Sequence, residues 1–127
     1  MLKLLLVSND KDSLADLASA LVQHDDVELS WAESGETALN LAAEAAIDLI
    51  VTDERLGDMT GLEFAAKLLK VNPMINCTSV SSLSSEAFHE VSEGLGLMAQ
   101  LPTNPDKEHA KALLQRLKHI KNLTSGK

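Results

Sequence analysis

Apolar and polar positions along the chain switch repeatedly between two periods. The opening run Lys3 to Val7 is short and almost wholly apolar, as in a buried strand. Leu14, Leu17, Ala18, Leu21 and Val22 then recur at helical spacing and share one face. Val27 to Ala32 reads as a second strand, and Ser34 can cap a helix whose inner face is Ala38, Leu41, Ala42 and Ala45. Asp48 to Thr52 is the third strand; its Leu49-Ile50-Val51 centre lacks polar alternation, as expected of a parallel strand covered on both sides. Thr60 and Glu63 have the spacing of a capping box, followed by the stripe Leu62, Ala65, Ala66 and Leu69 and a stop at Pro73. Ile75 to Val80 is the fourth strand. Phe88, Val91 and Leu95 predict a short helix closing at Gly94 or Gly96, and Leu97 to Leu101 the fifth strand. Asn104 as cap and Pro105 in the first turn open a last helix, with Ala110, Leu113, Leu114, Leu117 and Ile120 as its apolar stripe and Lys107, Lys111, Arg116, Lys118 and Lys121 on its other faces.

Five strand-helix units imply parallel strands joined by right-handed helical crossovers, hence a doubly wound α/β domain with helices on both faces of a five-stranded sheet. With 127 residues, 45% of them hydrophobic, the chain suits one core. The domain is expected over residues 1–122, with 123–127 as a tail or the start of a linker. A net charge of −8 excludes a surface that binds nucleic acid or an anionic membrane, because both require clustered cations. Asn9 and Asp10 interrupt the apolar opening, so a secretory signal is not expected; with Cys77 as the one cysteine, the cytoplasm is the expected compartment. One Trp, two Phe and no Tyr leave few rings for stacking bases or a flavin.

Ligands of open α/β sheets bind beyond the carboxyl ends of the strands. The residues there are Ser8, Asn9 and Asp10 after the first strand, Asp53, Glu54 and Arg55 after the third, Ser81 and Ser82 after the fourth, and Leu101 and Pro102 after the fifth. Asp53, on the central strand, lies at the floor of that crevice. A carboxylate so placed can act as a nucleophile toward phosphorus or bind a hard cation.

The stretch from Asp48 through Asp53, Met59 and Gly61 to Glu63 resembles the phosphoacceptor segment of response-regulator receiver domains, in which an Asp ends strand three and Met-x-Gly follows. The opening strand into Ser8-Asn9-Asp10, Ser81 after strand four, and the spacing of Gly94 and Pro102 extend the likeness over essentially the whole chain. The resemblance implies a flavodoxin-like strand order 2-1-3-4-5. It also implies Asp53 as acceptor of a phosphoryl group from a sensor histidine kinase or phosphotransfer protein, Mg²⁺ on the phosphate oxygens, Ser81 as the phosphate-sensing hydroxyl and Met98 at the position of the aromatic switch residue.

The same comparison exposes departures. Where the family has an acidic pair for Mg²⁺, this chain has Ser8 and Asn9, with Asp10 one position later; where it has a lysine before the strand-five proline, this chain has Leu101. Leu56 and Gly57 stand where methionine and proline are usual. Unit charges about 4 Å apart interact by roughly 4 kcal/mol at an effective dielectric of about 20, so several such interactions are withdrawn together. Asn9, Asp10 and Asp53 then form at best a weak Mg²⁺ site, and phosphorylation is expected to be slow or absent, unless Arg55 replaces the lysine.

The function expected is that of a non-enzymatic phosphorelay receiver domain, with weakened or lost phosphorylation, that signals through protein contacts, with a partner or a second copy on the face of helix four, strand five and helix five. The alternative is a phosphate-independent interaction or dimerisation module. A small α/β enzyme or electron carrier is disfavoured, for want of a second catalytic carboxylate and a Gly-rich phosphate loop. The plainer readings are local ones: Asp53 and Ser81 satisfying nearby backbone groups, Ser84 and Ser85 capping a helix, the basic residues of the last helix as a solvated face, and Met74 and Cys77 as core filling. His24, His89, His109 and His119 lack the spacing of a metal site.

Overall fold

The computed structural model describes residues 2–124, with side chains described through residue 120. The strands are β1 (Leu2–Val7), β2 (Val27–Ala32), β3 (Leu49–Thr52), β4 (Asn76–Val80) and β5 (Ala99–Leu101), and all neighbouring pairs are parallel in the order β2-β1-β3-β4-β5. Between them run α1 (Ala15–Leu21), α2 (Gly35–Glu44), α3 (Gly61–Val71) and α4 (Ser85–Ser92), and α5 (Lys107–Thr124) closes the chain. The doubly wound, flavodoxin-like architecture expected from the alternating periods is the one observed.

Side chains leave a strand on alternate faces, and β1 shows the consequence. Leu4 and Leu6 join Leu49, Val51, Val80 and Leu101 beneath α1 and α5, whereas Leu5 and Val7 join Ile50 and Cys77 beneath α2 and α3. The sheet is thus covered on both faces, and its polar chemistry is left to the carboxyl ends of the strands. Burial pushes the Cys77 thiol up to about 12, so it stays a neutral, inert filler, as expected.

Several boundaries differ from expectation. The buried face of α3 is Gly61, Phe64, Ala65 and Leu68, one position from the stripe read in the sequence, although the Thr60–Glu63 capping box is present. Val22 follows α1 and is 58% exposed; Met74, in the turn after Pro73, is 84% exposed and fills no core. The fourth helix ends at Ser92, so Leu95 lies outside it, and Gly94 and Gly96 form the left-handed turn beyond. Strand five begins at Ala99 rather than Leu97. Asn104 does not cap α5: it is itself left-handed (φ 54°), and Asp106 holds the helix start by accepting from the Glu108 N–H. The last helix is described to Thr124; residues 125–127, where the expected tail ends, and the Lys121 side chain lie outside the described residues.

Candidate functional site

The crevice at the carboxyl ends of the strands holds two separate carboxylate centres. The first is Asp53. Its N–H donates to the Val7 carbonyl (2.9 Å), which extends the β1–β3 pairing by one residue and aims the side chain at the start of the β1–α1 loop. Oδ1 accepts from the Glu54 N–H (2.8 Å); Oδ2 accepts from the hydroxyl of Ser8 (2.8 Å) and from that of Ser13. Ser8 is buried at the end of β1, while Ser13 is brought round by a 3-10 turn over Lys11–Leu14.

That turn also decides the fate of Asp10. Its side chain accepts from the Asp12 N–H (3.1 Å) and caps the turn, and its carbonyl lies 2.7 Å from Ser8 Oγ and 2.9 Å from Ser13 Oγ. Each hydroxyl has one proton to give, and both lie within hydrogen-bond distance of Asp53 Oδ2 and of the Asp10 carbonyl. Asn9 is exposed, its amide leaning toward Gly57, where a Cβ would meet Nδ2 at 3.1 Å.

The second centre is Glu54. Its Oε2 accepts from the Ser82 N–H (2.9 Å), the Ser82 hydroxyl (3.1 Å) and the Ser81 hydroxyl (3.3 Å). Glu54, Arg55 and Ser79 to Leu83 line a crevice of about 330 Å³ with Thr60 and Leu62. Arg55 is exposed; among the described residues the ion pairs are Asp106–His109 and Asp26–Lys118, so no cation pairs with Asp53 or Glu54.

A short hairpin carries the chain from Asp53 into α3. Arg55 and Thr60 form an antiparallel bridge, the Leu56 N–H donates to the Met59 carbonyl (2.9 Å), and Gly57 turns with φ +85°. Leu56 is buried in the core under α2 and α3, and Asp58 accepts from the N–H groups of Gly35 and Glu36. Those two backbone donors hold the exposed Asp58 carboxyl below its ordinary value.

A family model described as the response regulator receiver domain matches residues 4–115. The chain belongs to that family. A response regulator receiver protein of Anaeromyxobacter sp. (strain Fw109-5) is 30% identical over 102 residues, covering 80% of this chain, which in turn spans 42% of that relative. Among solved structures, the signal receiver domain of an HD domain-containing protein from Pseudomonas fluorescens Pf-5 superposes with a TM-score of 0.83 at 22% identity, covering 98% of this chain and 92% of that one. A CheY-like response regulator receiver domain from Methanospirillum hungatei JF-1 gives 0.79 at 19% identity, with 96% and 98% covered. At these identities the two structures speak for the fold.

Within this receiver domain the residues singled out by sequence divide into three groups. Ser8 and Asp53 touch, and Asp10 reaches Ser8 through its backbone. Ser81 faces Glu54 across the crevice that Arg55 also lines. Leu101 and Met98 are buried in the apolar cluster beneath α1 and α5, and Pro102 is exposed. The Leu101 side chain therefore offers the crevice nothing polar, although its carbonyl accepts the Ser81 N–H (2.9 Å) and fixes the start of the β4–α4 loop.

Receiver domains bind Mg²⁺ at the phosphorylation site, and this donor set does not suit it. Asp53 brings one carboxylate, Ser8 a neutral hydroxyl and Asn9 a neutral amide, and Asp10 uses one carboxylate oxygen to cap its own turn; among the described residues no group of three or more His, Cys, Asp or Glu could hold a metal. Reading the sequence missed Ser13 on Asp53, and both Ser82 and the Glu54 side chain as a centre of their own. An Asp two residues before Asp12 and three before Ser13 signals a capped turn, which was the available clue to the first.

Proposed function

We propose that this receiver domain signals through protein–protein contacts, with Mg²⁺-dependent phosphorylation of Asp53 weakened or lost. The observation that carries this reading is the occupation of Asp53 Oδ2 by the Ser8 and Ser13 hydroxyls. For a phosphoryl group to be accepted, that oxygen must be free to attack phosphorus as the bond to the donor breaks, with the negative charge on the transferred phosphoryl oxygens balanced by cations. Hydroxyl donors stabilise the carboxylate ground state and so blunt its nucleophilicity. The buried Leu101 side chain supplies no positive charge for the phosphate.

The chain's own groups instead do structural work: Ser8, Ser13 and the Glu54 N–H fix Asp53, and Asp53 ties the end of β3 to the β1–α1 loop. Receiver domains work with histidine kinases or phosphotransfer proteins. In the present reading the contact that matters is on the face of α4, β5 and α5. No described helix is long and apolar enough to cross a bilayer. As a receiver domain serving histidine kinases or phosphotransfer proteins, the chain is proposed to work in the cytoplasm.

Incubation with Mg²⁺ and a small acyl phosphate, followed by intact-mass measurement of wild type and Asp53→Asn, tests the reading. The expected spectrum shows no phosphate adduct in either protein. A rapid adduct that disappears in Asp53→Asn establishes the phosphorylation-dependent alternative, for which the partly exposed position of Asp53 at the end of β3 is the supporting observation.

A further inference from the structure

The β4–α4 loop, which begins at Ser81, is tethered from both sides. On the β3 side one oxygen, Glu54 Oε2, takes the Ser81 hydroxyl, the Ser82 hydroxyl and the Ser82 N–H. On the β5 side the Gln100 amide donates to the Leu83 carbonyl (2.8 Å) and approaches the Ser81 carbonyl (3.5 Å). Inside the loop the Leu83 N–H donates to Ser81 Oγ (3.2 Å), and at its end Ser84 caps α4 by accepting from the Ala87 N–H (3.2 Å). Glu54 is itself launched from a fixed backbone, since its carbonyl accepts the Gly61 N–H (2.9 Å) at the start of α3.

We propose that Glu54 is the positioning residue of the output loop, its carboxylate holding Ser81 and Ser82 in the role that a phosphoryl group on Asp53 would have in the family. This rests on the reading of the domain as one that signals without phosphorylation. The Ser81 hydroxyl has one proton to give and Glu54 receives it, so a phosphate on Asp53 would have to compete for that proton with a resident anion. Hydrogen bonds to a charged acceptor are about twice as strong as those between neutral groups, and three converge here on one atom. The orientation of α4, and the presentation of the exposed Leu83 before it, then follow from a permanent carboxylate rather than a transient one.

Amide exchange measured by NMR on the full chain, without any phosphodonor, tests the assignment in four proteins: wild type, Glu54→Ala, Glu54→Gln and Glu54→Asp. Gln keeps the length and an acceptor oxygen, whereas Asp keeps the charge and loses the reach. Exchange at Ser82 and Leu83 is expected to accelerate about fivefold in Glu54→Gln, which keeps the reach and loses the charge, and by more than about tenfold in Glu54→Ala and Glu54→Asp, with Val51 in the core unchanged. Equal exchange in all four proteins overturns the proposal, as does acceleration that extends equally to Val51. If Glu54→Ala does not fold, the Gln–Asp comparison decides alone. Repeating the series on Asp53→Asn should leave the order unchanged, and a loop whose protection follows Asp53 rather than Glu54 refutes the assignment. An acyl-phosphate adduct on Asp53 would remove the functional reading without altering this order, so the two can fail separately.

Discussion

Gly61 and Gly35 each occupy the first residue of a helix, and replacing each by alanine asks how tightly the site is built. A Cβ at Gly61 would fall inside contact distance of the Asp53 carbonyl oxygen, 2.9 Å from Ser79 Oγ and 3.2 Å from Thr52 Cγ2. Two of these three neighbours belong to the end of β3, where the backbone is held by β1 and cannot retreat. A Cβ at Gly35 would lie 2.5 to 2.8 Å from the Met59 side chain, which is unbranched and can change rotamer. Overpacking against rigid structure costs about 1–3 kcal/mol. Pushing α3 outward also strains the Gly61 N–H to Glu54 carbonyl bond (2.9 Å), worth about 1 kcal/mol. Alanine recovers about 0.4–1 kcal/mol through the unfolded chain at either position. The balance is a loss of about 2–3 kcal/mol for Gly61→Ala and a change within about 1 kcal/mol for Gly35→Ala. In urea titrations followed by far-UV circular dichroism, the Gly61→Ala midpoint should fall by about 1–2 M, at the slopes usual for small domains. Equal midpoints for the two variants would refute the claim that the start of α3 is packed against an unyielding Asp53.

Two threonines on adjacent strands, both fully buried, should respond oppositely to valine: among the described residues Thr78 Oγ1 has no hydrogen-bond partner, whereas Thr52 Oγ1 donates to the Asp53 carbonyl (3.1 Å). Thr78→Val is expected to gain about 1 kcal/mol and Thr52→Val to lose about as much, read as melting shifts of about 3–5 °C in opposite directions. Because the folded-state carboxyl of Asp58 is depressed, its contribution is present above the ordinary value of 3.8 and is lost as pH falls through the lower folded value. The stability difference between wild type and Asp58→Ala should therefore be constant near neutrality and shrink in acid; a difference that persists at the lowest pH removes Asp58 as the charged cap of α2. Ser8→Asp combined with Asn9→Asp places three carboxylates together, so the double variant should melt lower than wild type without Mg²⁺ and rise with it, while wild type is indifferent; a wild-type melting point that climbs with Mg²⁺ contradicts the donor-set argument.

The fold was legible because β1 and β3 are apolar enough to declare themselves buried on both sides and each is followed by a helical period. The errors have local causes. Alanines at 65 and 66 fit either phase of α3, so a stripe through Leu62 and Leu69 satisfies the same spacing as the real one through Phe64 and Leu68. Asn104-Pro105 has the composition of a helix start, but Pro105 is buried before the helix and Asn104 adopts the left-handed turn that brings it there. At the site, the strand-end rule located Ser8, Asp53, Glu54, Ser81 and Ser82. What it could not supply is pairing. Ser13 reaches Asp53 because a 3-10 turn replaces the first turn of the expected helix, and Glu54 reaches Ser82 across a crevice whose width no local pattern encodes.

The substitutions around Asp53 are consistent with one another as a matter of charge. The family pattern sets an acidic pair beside the phosphoacceptor and a lysine opposite, an arrangement whose excess negative charge calls for a divalent cation. Replacing only the lysine would leave that repulsion intact, and replacing only the acids would leave a lysine free to neutralise Asp53. This chain replaces both, so Asp53 remains as a single negative charge that neutral donors can satisfy, and Ser8, Ser13 and the Glu54 N–H do so. A carboxylate solvated by fixed hydroxyls needs no metal to be stable. The remaining anion of the crevice, Glu54, has its own fixed donors on the neighbouring loop. Each of these two carboxylates is thereby held by protein groups of its own, which tie the β1–α1 and β4–α4 loops to β3.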